Sequence, residues 1–95
     1  MTSEPQKIDG ARLLQIADVR DAAPTGRTRH FTRRGMVSGI AWLALAKYED
    51  DPGVYMFYCD GAWNLMTDTC HESVEQAIAQ AEFEFDPVEF RPLPR

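Results

Sequence analysis

Ninety-five residues, 44% hydrophobic and 26% charged, make one small domain (1–95) with a modest core and exclude wholesale disorder. The net charge of −5 argues against general affinity for nucleic acid or anionic membrane. The first residues lack the basic and apolar regions of a secretory signal. The longest apolar run, 36–46, is interrupted by Ser38 and Gly39, so no membrane span and a cytoplasmic location are expected.

Residues 1–7 are polar and expected to be irregular. Asp9 is placed to cap a short N-terminal helix from Gly10 towards Arg20, with Leu13, Ile16 and Ala17 on one arc. Gly10 and Val19 disfavour that helix, and the same stretch also reads as a strand. Pro24 and Gly26 mark a loop. From Arg27 to Arg34 charged and uncharged residues alternate, as in a charged edge strand. Arg27, Arg29, His30, Arg33 and Arg34 form a candidate basic patch there. Gly35 and Gly39 bracket a bend. Residues 40–49 have helix-favouring alanines and leucines, but the turn signal at 50–53 and the need for a partner strand favour a strand.

Val54 to Cys59 is rich in aromatic and β-branched residues and ends in Asp60-Gly61, a strong hairpin signal. A two-residue loop there opposes Cys59 to Ala62, Tyr58 to Trp63, Met56 to Leu65 and Val54 to Thr67. Val54, Met56, Tyr58, Trp63 and Leu65 then share one face. An even-length turn at 50–53 adds Leu43 and Leu45. The other face holds Ile40, Trp42, Ala44, Ala46, Tyr48, Tyr55, Phe57, Cys59 and Met66. Both faces are apolar, so both need cover.

Ser73 is a good N-cap and Gln76 completes a capping box for a C-terminal helix. Val74, Ala77, Ile78, Ala81 and Phe85 form its apolar stripe, and the alanines suit a close approach over Ala44 and Ala46. Phe83 points the other way, either beneath the tail residues Val88 and Phe90 or towards a partner. The proline-bearing tail, 87–95, is expected to be irregular.

No arrangement supports catalysis. Cys59 and Cys70, at opposite ends of a hairpin strand, come out more than about 20 Å apart, too far for a disulfide or a shared zinc ion. Adjacent Cys70 and His71 point apart in an extended segment, and Asp50 and Asp51 are turn formers. Phosphate-loop, nucleophile-elbow and metalloprotease motifs are absent from the sequence. No catalytic residue, cofactor or metal is expected.

Tyr55, Phe57, Tyr58, Cys59, Asp60, Trp63, Thr67, Asp68, Thr69, His71, Ser73, Glu75, Ala77, Gln80, Ala81, Glu82, Phe83, Glu84 and Phe85 make a pattern that resembles a group of small uncharacterised bacterial proteins. The resemblance covers about a third of the chain and implies a bacterial cytoplasmic origin, but no activity and no binding residue.

The expected fold is α+β: a three- or four-stranded antiparallel meander with the C-terminal helix on one face. The expected function is non-catalytic, an accessory protein acting through protein contact, with homodimerisation through Met56, Tyr58, Trp63, Leu65 and Phe83 as its specific form. One alternative is single-stranded nucleic-acid binding by the basic patch. The other is a small-ligand or enzymatic pocket lined by Trp42, Tyr55 and Asp68.

Overall fold

The computed structural model of the chain describes residues 4–27, 30–32, 35–36 and 38–93. Its elements in chain order are β1 (Lys7–Ile8), β2 (Ala11–Asp18), β3 (Ala23–Pro24), β4 (Phe31–Thr32) and β5 (Gly35–Met36), then β6 (Trp42–Lys47), β7 (Val54–Cys59) and β8 (Leu65–His71). Helix α1 (Val74–Glu84), β9 (Phe85–Asp86) and β10 (Arg91–Pro92) complete the chain. The fold is α+β, as the sequence predicts, but the sheet has six strands in the order β1-β2-β6-β7-β8, with β10 also on β2. All of its pairings are antiparallel. Two small ladders, β3 with β9 and β4 with β5, lie outside it.

The expected N-terminal helix is instead strand β2. The reason is a register irregularity between Leu13 and Gln15. One extra residue there changes which face the following side chains meet, so Ala11, Leu13 and Ile16 share a core cluster. The spacing of three from Leu13 to Ile16 therefore imitates a helical period. Asp9 and Gly10, expected at a helix start, are the two-residue turn between β1 and β2. Both have positive φ, 53° and 79°, and Ile8 lies opposite Ala11, the geometry of a type I′ hairpin.

The strand at 40–49 is present as β6, and its even turn into β7 places Leu43 against Tyr58 and Leu45 against Met56. The Asp60-Gly61 turn is not the two-residue loop expected. Cys59 opposes Leu65 and Tyr58 opposes Thr67, with a register shift between Tyr58 and Cys59, so residues 60–64 form the connection. Asp60 Oδ1 accepts the backbone N–H groups of Ala62 and Asn64, each at 2.9 Å, and Trp63 takes a positive φ of 67°. The aspartate organises a longer loop around its own carboxylate rather than a tight turn.

Helix α1 starts as the sequence requires. Ser73 Oγ accepts Gln76 N–H at 3.1 Å, and Gln76 Oε1 reaches back to Glu72 N–H at 3.1 Å. Its stripe packs on the leucine face, where Ala77, Ala81 and Phe85 join Leu43, Leu45, Val54, Met56 and Tyr58 in one cluster. Ala44 and Ala46, the expected helix seat, belong to the second cluster on the other face, with Leu13, Ile16, Phe57, Cys59 and Leu93. There their short side chains leave room for Phe57 and for Leu93 from the tail. Trp42 and Trp63 stack at 4.6 Å over this cluster, and Tyr48 meets Tyr55 edge-on at 5.1 Å. Both faces of the sheet are thus covered by the chain itself. The tail is not wholly irregular, because Arg91 and Pro92 pair with Ile16 and Gln15 and Leu93 is buried.

Candidate functional site

The two edges of the main sheet end differently. On one side β2 is paired along its outer flank by β1 near Ala11 and by β10 near Ile16. On the other side β8, seven residues long, has β7 as its one partner in the sheet among the described residues. Thr67 and Thr69 favour extended backbone through their branched Cβ atoms. With His71 they lie opposite Tyr58, Met56 and Val54, on the side α1 covers, while Asp68 and Cys70 lie opposite Phe57 and Tyr55. Leu65 at the start of β8 is 37% exposed, and Cys70 is an exposed free thiol. The strand carries neither lysine nor proline, the residues that most often close such an edge to other chains.

At its far end Thr69 Oγ1 and His71 Nε2 lie 2.7 Å apart, and burial holds the His71 pKa below its ordinary value. A shallow hollow of about 610 Å³ opens there, lined by Asp51, Pro52, Gly53, Cys70, His71, Glu72 and Gln76. Asp51 is engaged by the chain, accepting Gly53 N–H at 2.8 Å and Tyr55 OH at 2.9 Å.

Beneath α1 lies a second polar grouping. Among the described residues Glu84 is the one buried charged side chain, 4% exposed. His30 Nε2 lies 2.5 Å from its Oε1, and Gln80 Nε2 donates to its Oε2 at 3.1 Å. Tyr58 OH donates to the same Oε2, and burial, then that contact, raises the Tyr58 pKa, so the phenol stays a donor. The His30 and Tyr58 rings are 4.4 Å apart. Each carboxylate oxygen has a partner, as a buried charge requires. The arrangement ties residue 30 and the end of α1 to β7.

The expected interaction surface is not assembled. Met56 and Tyr58 are fully buried beneath α1, and Trp63 packs on the opposite cluster. Leu65 and Phe83 remain exposed but separately. Phe83 does not fold under Val88 and Phe90, which pack against the helix-side core. It carries the Arg27 guanidinium over its ring at 5.3 Å instead. Of the basic patch, Arg27 is thus on the helix and His30 is bound to Glu84, while Arg29, Arg33 and Arg34 lie outside the described residues. Among the described residues Tyr55 packs with Tyr48 and donates to Asp51, Trp42 stacks on Trp63, and Asp68 lies opposite Phe57.

Cys59 and Cys70 are nearer than the hairpin arithmetic implies. Cys70 opposes Tyr55, four positions from Cys59, which sets them about 13 Å apart along the ladder. Both are free thiols, and burial raises the Cys59 pKa to about 12. Among the described residues no three His, Cys, Asp or Glu side chains are placed to hold a metal ion. Nor is any helix there long and apolar enough to cross a membrane.

Sequence reading missed the Glu84 cluster because its members come from three separate segments. One signal was available: Glu84 lies beside the apolar stripe at its C-terminal end, where a bare carboxylate needs buried donors. The two-sided cover of the sheet leaves the β8 edge as the candidate site, a strand-pairing surface rather than a reaction centre. Comparison with protein-family models, curated proteins and solved structures finds no match.

Proposed function

We propose that the protein is a non-catalytic interaction module acting through protein contact, and that β8 is the contact, pairing with β8 of a second copy to form a homodimer. The supporting observation is the contrast between the closed β2 edge and the seven-residue β8 edge, which has one partner among the described residues. An unpaired strand edge presents alternating N–H and C=O groups that another strand satisfies. A two-fold antiparallel pairing centred on Asp68 sets like charges against each other and is disfavoured. Centring on Thr69 instead sets Asp68 opposite Cys70 and Thr67 opposite His71, which removes that repulsion. Leu65 then extends the contact at each end.

Sedimentation equilibrium under reducing conditions, which prevent Cys70 cross-linking, tests the proposal from micromolar to millimolar concentration. The native chain should shift from 10.8 kDa towards twice that mass. The double variant Leu65→Lys, Cys70→Lys should stay monomeric with its melting temperature retained. A native chain that remains monomeric throughout overturns the proposal.

A further inference from the structure

The chain has two histidines, and one run of hydrogen bonds beneath α1 reaches both. It begins on β8, where Thr69 Oγ1 and His71 Nε2 are 2.7 Å apart. Thr69 is diagonal to Tyr58 across the β7–β8 ladder, because Tyr58 opposes Thr67, and both lie on the side that α1 covers. The Thr69 hydroxyl is hydrogen-bonded to the Tyr58 phenol and acts to lower its pKa, so the phenol oxygen accepts that bond. Tyr58 in turn donates to Glu84 Oε2, and Glu84 Oε1 lies 2.5 Å from His30 Nε2. The run thus passes from β8 to β7, to the end of α1 and to residue 30.

Thr69 is the link that can reverse, because a hydroxyl has one proton to donate. A neutral imidazole carries one ring nitrogen lone pair, and at Nε2 it competes with Tyr58 for the Thr69 proton. An imidazolium has no lone pair and only donates. With His71 charged, Thr69 Oγ1 accepts from the ring, its own proton is left to Tyr58, and the Tyr58 proton stays on Glu84. Every donor then runs towards one carboxylate, the arrangement in which successive bonds strengthen one another. Asp51, Cys70, Glu72 and Gln76 share the hollow beside His71, and Gln80 donates to Glu84 Oε2. Burial opposes the proton on His71, while the Glu84 charge favours it.

We propose that this run is a proton-responsive device: proton uptake by His71 at the end of β8 turns the Thr69 hydroxyl towards Tyr58 and tightens the Glu84 grouping that holds residue 30 beneath the helix end. The device lies within one copy of the chain and works whether or not β8 pairs with a second.

Side-chain NMR of dilute protein, titrated downward from neutral pH, tests this. The Tyr58 hydroxyl and Cζ resonances should shift with the same midpoint as the His71 ring, although the raised Tyr58 pKa keeps the phenol itself from ionising there. Thr69→Val keeps the branched, strand-favouring shape and removes the hydroxyl. In that variant His71 should still titrate and the Tyr58 step should vanish. His71→Gln should abolish the step as well, which separates it from any response to His30. In Glu84→Gln the His71 midpoint should fall, because a neighbouring negative charge is gone. A Tyr58 signal that ignores the His71 midpoint, a step that survives in Thr69→Val, or a His71 midpoint unmoved in Glu84→Gln overturns the proposal.

Discussion

The two edges of this sheet solve one physical problem in opposite ways. At the β2 edge the chain spends both termini on closure: β1 turns back through Asp9-Gly10, β10 arrives from the tail, and Leu93 seals the second core cluster. At the β8 edge nothing of the main sheet follows, because the chain leaves directly into α1, which covers a face rather than the flank. Closing an edge locally needs a short turn and a buried anchor. The β8 side has a longer loop organised by Asp60 and an exposed leucine instead.

Two leucines sharpen that contrast most. Leu93 is 6% exposed, and its N–H reaches Leu14 C=O at 3.3 Å, so Leu93→Ala removes a buried anchor of the closed edge. A loss of about 3 kcal/mol in chemical denaturation is expected. Leu65→Ala at the open edge should change monomer stability by less than about 0.5 kcal/mol. Equal losses would mean that the two edges are built alike.

The two Asp-Gly pairs come next. Gly10 has φ 79°, so Gly10→Ala should cost about 1 kcal/mol. Gly61 has no positive φ and nothing within 4 Å of an added Cβ, so Gly61→Ala should be neutral or stabilising by about 0.5 kcal/mol through the unfolded chain. Thermal or denaturant melting of the pair reads both signs.

The smallest effect is one of pH. Burial holds the His71 pKa below the ordinary histidine value of 6.5, so the unfolded chain takes up this proton first as pH falls. Its contribution is present above about pH 6.5 and is lost as pH drops through the lower, folded pKa. His71→Gln should flatten the stability curve in that window alone. The lowered pKa values of Asp18, Asp51 and Asp60 act in the same direction at more acidic pH.

Much of the architecture was legible because local chemistry decided it. The capped helix, the β6–β7 hairpin with its even turn, and the alternation of Val54, Met56 and Tyr58 against Tyr55 and Phe57 all appear in the structure. What failed was register. An irregularity after Leu13 disguised a strand as a helix, and the Asp60 carboxylate lengthened a loop that dipeptide preference marks as tight. The first error is a single residue, which in an extended chain exchanges the faces; the second slides the partner strand by four positions and keeps odd-numbered residues beside Tyr58 and Met56. Moving the second strand of that hairpin placed Thr67 and Thr69, rather than Trp63 and Leu65, beside Tyr58 and Met56. The open edge was hidden for a different reason: whether a strand has a neighbour depends on the distant segments Lys7–Ile8 and Arg91–Pro92 choosing the other flank.

Amide hydrogen exchange along β8, measured at several protein concentrations, tests the central claim most directly. The account predicts that the outward amides of Leu65–His71 exchange rapidly in dilute protein and become protected as concentration rises, while those of β2 stay protected throughout. Protection of the outward β8 amides that does not change with concentration, whether uniformly low or uniformly high, would contradict it.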